Sequence, residues 1–152
     1  SPEARCRICR DLGADRVIDY RQEDYVEILR QEGGANVILD IVGGPNIERN
    51  FKAATHDGRI IQLAFALGSK VELNLMPVML KRLTYTGSTL RTRSPAFKAS
   101  IAQELEARVW PLIESGKIKP VVHAVFPLAE AAKAHALMES GAHLGKIVLT
   151  IA

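Results

Sequence analysis

Val37-Ile38-Leu39-Asp40-Ile41-Val42-Gly43-Gly44 is an apolar, partly β-branched run that stops on two glycines. It is too short for a typical helix and carries no polar alternation, so it predicts a parallel strand covered on both faces. The carboxyl ends of such strands form the crevice in which nucleotides and cofactors lie, and glycine there lets a backbone approach a flat ring. A second run of the same character, Gly58-Arg59-Ile60-Ile61-Gln62-Leu63-Ala64, follows one short helical segment later. In that segment Pro45 suits the first turn, and Ile47, Phe51 and Ala54 share a face.

Outward from these runs, helix and strand alternate. Residues 2–12 read as a helix closed by Gly13, residues 16–20 as a short strand, and residues 23–32 as a helix with Tyr25, Ile28 and Leu29 at helical spacing. Downstream, residues 75–80 predict a short helix and residues 83–88 a strand. Ser94-Pro95 opens a long helix whose apolar face is Phe97, Ile101, Leu105, Val109, Leu112 and Ile113, bent by Pro111. Residues 121–126, 128–140 and 146–151 close the chain as strand, helix and strand. Repeated β-α alternation argues for an α/β fold with a doubly wound, mostly parallel sheet.

The 152 residues are 47% hydrophobic, 24% charged and 5% aromatic, an ordinary globular composition. The net charge of +3 sets 20 basic against 17 acidic residues, a surplus too small and scattered to point to nucleic acid. No apolar stretch reaches the roughly 20 residues of a membrane span, and the start has no signal-peptide layout, so a cytoplasmic location is expected. Lys81-Arg82 and Arg91-Thr92-Arg93 flank a predicted strand and read as edge protection rather than an anion site. Cys6 and Cys9 have C-x-x-C spacing. With no second cysteine pair, and with His56, His123, His135 and His143 lacking metal spacing, they read as two small residues on one helical face and no metal site is expected.

A dinucleotide fold normally opens with a strand, a G-x-G-x-x-G-like turn and a helix, whose amides bind pyrophosphate. Neither Gly33-Gly34 nor Gly43-Gly44 has that spacing. Either the chain binds no dinucleotide, or it starts downstream of the phosphate loop.

Eight short stretches occur in a telling order: Ser1-Pro2-Glu3, Leu12-Gly13-Ala14-Asp15, Val17-Ile18-Asp19-Tyr20-Arg21, Asp40-Ile41-Val42-Gly43-Gly44, Gly116-Lys117-Ile118, Phe126-Pro127-Leu128, Ala131-Ala132-Lys133-Ala134-His135 and Gly145-Lys146-Ile147-Val148-Leu149. Together they resemble the C-terminal part of the NADPH:quinone oxidoreductases, the zinc-independent, zeta-crystallin-like branch of the medium-chain dehydrogenase/reductase superfamily. The resemblance implies an incomplete Rossmann-like sheet over residues 1–115, lacking its first two strands and glycine-rich loop. Residues 116–152 would then be a strand-helix-strand segment returning to the catalytic domain.

The implied activity is hydride transfer from NADPH to a quinone or conjugated carbonyl, with this fragment inactive alone. The alternative is a noncatalytic Rossmann-type module for ligand sensing, RNA contact or a crystallin-like structural role. By the same resemblance Ser1 and Arg5 hold the adenosine 2′-phosphate and Tyr20 borders it. Val42, Gly43, Leu63, Ala64 and Phe65 form the strand-end wall at the nicotinamide, and Gly145 and Lys146 close the cleft. A fork-shaped guanidinium at Arg5 suits phosphate. No catalytic residue is nominated, and Asp40 reads as a polar residue inside its strand. The strand from Leu83 to Leu90 implies a homodimer by edge pairing.

Overall fold

The computed structural model describes residues 2–151. The opening run forms β1 (Ala35–Asp40), the first strand of a three-stranded parallel sheet in which it pairs with β2 (Ala54–Gln62), which in turn pairs with β3 (Thr84–Gly87). Val37, Ile38, Leu39 and Asp40 lie opposite Arg59, Ile60, Ile61 and Gln62, so the two apolar runs are in register. Between Ala35 and Val37 the register jumps, because Thr55 to Gly58 bulge out of β2 and Asp57 turns left-handed at φ 58°.

Before the sheet come α1 (Pro2–Asp11) and α2 (Tyr25–Gln31). Asp24 caps α2 by accepting the amide of Val26 at 2.8 Å. Helix α3 (Asn46–Ala53), entered through Pro45, joins β1 to β2, and α4 (Met76–Leu80) precedes β3. One sheet face packs on these helices: Ile47, Phe51, Ala54, Ile60 and Leu83 form the core, flanked by Ile38, Val71, Leu73 and Val78. Phe51 meets Tyr85 edge to face at 5.6 Å, an arrangement that suits their ring quadrupoles.

The chain divides into two compact units, Ser1–Arg93 and Ser94–Ala152. The second holds α5 (Pro95–Arg108), α6 (Trp110–Glu114) and α7 (Ala131–Glu139). It also holds a two-stranded parallel sheet of β4 (Val122–Pro127) and β5 (Lys146–Thr150). Ser94 caps α5 through the amide of Phe97, and the helix breaks at Val109 just before Pro111, where the sequence places a bend.

Residues 16–20 make no strand. No neighbouring strand pairs with them among the described residues, and Asp19 instead nucleates a turn. Its side chain accepts the amide of Arg21, and its carbonyl accepts those of Gln22 and Glu23. The basic residues before β3 are occupied in ways the edge-protection reading did not anticipate. Lys81 Nζ donates to the carbonyls of Phe51, Lys52 and Ala54 at the end of α3, and Arg82 forks onto Asp57 at 2.8 and 2.7 Å. No described helix is long and apolar enough to cross a membrane.

Candidate functional site at the carboxyl ends of β1 and β2

The sheet ends where a buried carboxylate captures the backbone that follows it. Asp40 is the last residue of β1, not an interior one, and is 5% exposed. Its Oδ1 accepts the amides of Val42 at 2.6 Å and Gly43 at 3.1 Å, folding the chain out of the strand. Its Oδ2 accepts Asn50 Nδ2 of α3 at 2.9 Å. Asn50 Oδ1 in turn accepts the Tyr25 hydroxyl of α2 at 2.9 Å. Burial raises the pKa of Tyr25, against the lowering effect of Arg49, so the phenol stays a donor.

Gly43 and Gly44 take left-handed φ values of 66° and 56° beyond the strand. Both are buried, and what comes close to them is the chain itself. A Cβ on Gly43 would lie 2.7 Å from Phe65 Cδ1, and one on Gly44 would lie 2.8 Å from the Leu67 carbonyl. The amide of Gly44 donates to the carbonyl of Gly68, and those of Ala66 and Leu67 donate to Ile41 and Val42. The glycines therefore admit the 65–68 loop, where the sequence suggested room for a flat ring. The surface presented to solvent is instead that of Ile41, Leu63, Ala64 and Phe65, with Val42 half-buried.

Val42, Gly43, Leu63, Ala64 and Phe65 are thus brought together, all just past the strands, because β2 closes at Gln62. The amides of Ala64 and Phe65 donate to no acceptor among the described residues. These two backbone donors belong to exposed residues and stand beside apolar Ile41 and Leu63, a pairing of polar and apolar groups common in small-molecule sites.

Arg5 is exposed on α1. Tyr20 lies in the turn after it, 76% exposed with the Arg21 guanidinium 5.9 Å from its ring. Ser1 lies outside the described residues. Gly145 and Lys146 belong to the second unit. There Gly145, at φ 95°, clears the Val121 carbonyl that a Cβ would strike, and the Lys146 amide donates to that carbonyl at 2.7 Å to start β5.

Asp40, Asn50 and Tyr25 were not singled out from the sequence. The available signal was an Asp ending an apolar run immediately before a turn, where its side chain can bond backbone two residues on. Asn50 and Tyr25 carry no such local signature.

Among the described residues no three His, Cys, Asp or Glu side chains gather as a metal site, and both cysteines are free.

Comparison with known proteins places these features. Residues 12–149 match the profile of the zinc-binding dehydrogenases. Quinone oxidoreductase of Homo sapiens is 26% identical over 151 residues, 95% of this chain and 44% of that protein. A mycocerosic acid synthase-like polyketide synthase of Mycobacterium tuberculosis is 29% identical over 98% of this chain and 7% of its own length. The solved structure of an NAD-dependent alcohol dehydrogenase superposes with a TM-score of 0.74 at 30% identity, covering 99% of this chain and 42% of that one. The chain spans less than half the length of the quinone oxidoreductase it matches. The family's name carries zinc, but the described residues gather no donor set that would hold it.

Proposed function

Because the chain belongs to the zinc-binding dehydrogenase family, we propose that it is the C-terminal portion of an oxidoreductase that transfers hydride from NADPH to a quinone or conjugated carbonyl. The observation that carries this reading is the strand-end wall: two exposed amides without partners, at Ala64 and Phe65, beside the turn that Asp40 holds. NADPH, when bound, supplies the hydride, and the protein supplies orientation. Ala64 and Phe65 would donate to the carboxamide, while Ile41, Val42 and Leu63 would lie against the ring and its ribose. Their apolar side chains would exclude water from one side of the reacting carbon.

Arg5, with Ser1 and Tyr20, would receive the adenosine phosphate, and the preference for NADPH over NADH rests on that guanidinium. The first two sheet strands, the pyrophosphate loop and most groups that touch the substrate would lie outside this chain, in a cytoplasmic homodimer paired through the strand from Leu83 to Leu90. The alcohol dehydrogenase that superposes on this chain is NAD-dependent by name, so coenzyme preference is the part of the proposal most open to direct trial.

The test is coupled oxidation of NADPH and of NADH by a para-quinone, using the longer protein that contains this chain. Faster turnover with NADPH than with NADH, reversed or levelled by Arg5→Ala, is the expected result. Absence of quinone-dependent oxidation of either coenzyme would refute the activity.

A further inference from the structure

All the buried polar side chains among the described residues, Asp40, Asn50 and Gln62, belong to one hydrogen-bonded network, and that network ends on the backbone of the strand-end wall. Gln62 is its least expected member. It is 4% exposed, sits opposite Asp40 across the β1–β2 ladder, and is the last residue of β2. Its Nε2 donates to two carbonyls, Asp40 at 3.2 Å and Ala64 at 2.5 Å. Its Oε1 accepts the Tyr85 hydroxyl of β3 at 3.1 Å.

The two carbonyls, which only accept, require the amide nitrogen on the wall side, and Tyr85 supports that orientation by donating to the oxygen. Burial, and after it the Asp40 charge, raises the Tyr85 pKa, which keeps that hydroxyl a donor. A phenol that can donate to the amide oxygen leaves the nitrogen to face the two carbonyls.

We propose that Gln62, oriented by Tyr85, is a positioning residue that sets the spacing between the two halves of the cofactor wall, the Asp40–Gly43 turn and the Leu63–Phe65 segment; this rests on the hydride-transfer reading above. The two halves come from different strands, and strand pairing stops at the Asp40–Gln62 level. Beyond it, the amide of Leu63 donates to the Asp40 carbonyl at 2.8 Å, and the Gln62 side chain bonds that same carbonyl and the carbonyl of Ala64. Fixing the Ala64 carbonyl fixes the peptide that follows it, whose amide belongs to Phe65. Gln62 thus aims a donor of the wall without itself reaching the surface.

The test uses the longer protein that contains this chain, ¹⁵N-labelled and titrated with NADPH, read at the amides of Val42, Gly43, Ala64 and Phe65. Gln62→Leu keeps the volume and removes the donors, and is expected to raise the dissociation constant roughly tenfold, the scale of one buried hydrogen bond. Tyr85→Phe removes one hydroxyl and is expected to raise it severalfold, with the largest shift differences at Ala64 and Phe65. Gln62→Glu places oxygens against two carbonyls. Its binding, relative to that of the unmodified protein at the same pH, is expected to be weak at high pH and to recover as pH falls and the introduced carboxyl gains a proton it can donate. A residue that served stability alone would move the melting point without that pH-dependent recovery of binding.

Binding by folded Gln62→Leu equal to that of the unmodified chain overturns the assignment. So does Tyr85→Phe with unchanged shifts, which also decides the matter if Gln62→Leu fails to fold. If the unmodified longer protein binds NADPH with no perturbation at these strand ends, or does not bind it, the function reading itself fails and this inference falls with it.

Discussion

At the scale of single residues, the site depends on one carboxylate with two oxygens fully employed. Asp40→Ala would strand the amides of Val42 and Gly43 and the Asn50 side chain without acceptors, since all three bond to Asp40. We expect a loss of about 3 kcal/mol in urea unfolding, the order seen when buried donors lose a charged partner. Gly43 offers a second check. Adding a Cβ meets both a left-handed φ of 66° and Phe65 at 2.7 Å, so Gly43→Ala should cost about 1–2 kcal/mol. The steric part should be relieved by Phe65→Ala, leaving a non-additive double-mutant cycle. Gly43 was legible as a glycine closing an apolar run, whereas Leu63, Ala64 and Phe65 were marked by the family resemblance. The sequence did not mark Asp40, Asn50 and Gln62, because a polar residue's burial is decided by which elements fold over it, here α2 and α3 from elsewhere in the chain.

At the scale of elements, strand and helix types were legible wherever an apolar period repeated, as in β1, β2 and α3. The segment at residues 16–20 was misread because a strand is defined by its neighbour, and β-branched residues alone do not supply one. Two clips at the opposite end of the sheet from the site hold α3 and β2 to the chain before β3. Lys81 satisfies carbonyls at the end of α3, where a cation is favoured by the helix dipole, although burial pulls its own pKa down. Lys81→Met should cost about 1 kcal/mol by urea unfolding. The second clip, Arg82 on Asp57, joins two residues with left-handed φ of 52° and 58°. The Arg82 hydrogen bond is the main cause lowering the Asp57 pKa below its ordinary 3.8. A lowered folded-state value means that the pair's contribution is present above 3.8 and disappears as pH falls through the folded pKa. The stability gap between the unmodified chain and Asp57→Asn should accordingly close in acid, and a gap that persists well below pH 3.8 would show that the charge is irrelevant.

At the scale of the whole molecule, one sheet face is covered and the other is not. Val37, Leu39 and Ile41 alternate along β1 and are 58%, 66% and 60% exposed, whereas Ile38 and Asp40 face the core. The sequence predicted a strand covered on both faces; the structure covers only one of them, a difference that accords with the proposal that further elements of the fold lie outside this chain. An exposed apolar strand face of this kind binds hydrophobic dyes and drives association. Leu39→Asp should therefore reduce dye fluorescence and self-association of the isolated chain, as followed by light scattering, with little loss of stability. In the proposed function, the turn held by Asp40 and the segment after Gln62 would form the wall against which a nicotinamide lies. Intermolecular nuclear Overhauser contacts between the nicotinamide ring protons of NADPH and this segment, labelled within the longer protein that contains it, test it most directly. Contacts at the amides of Val42, Ala64 and Phe65 are predicted, and ring contacts confined to any other part of the chain, or none at saturating NADPH, would contradict it.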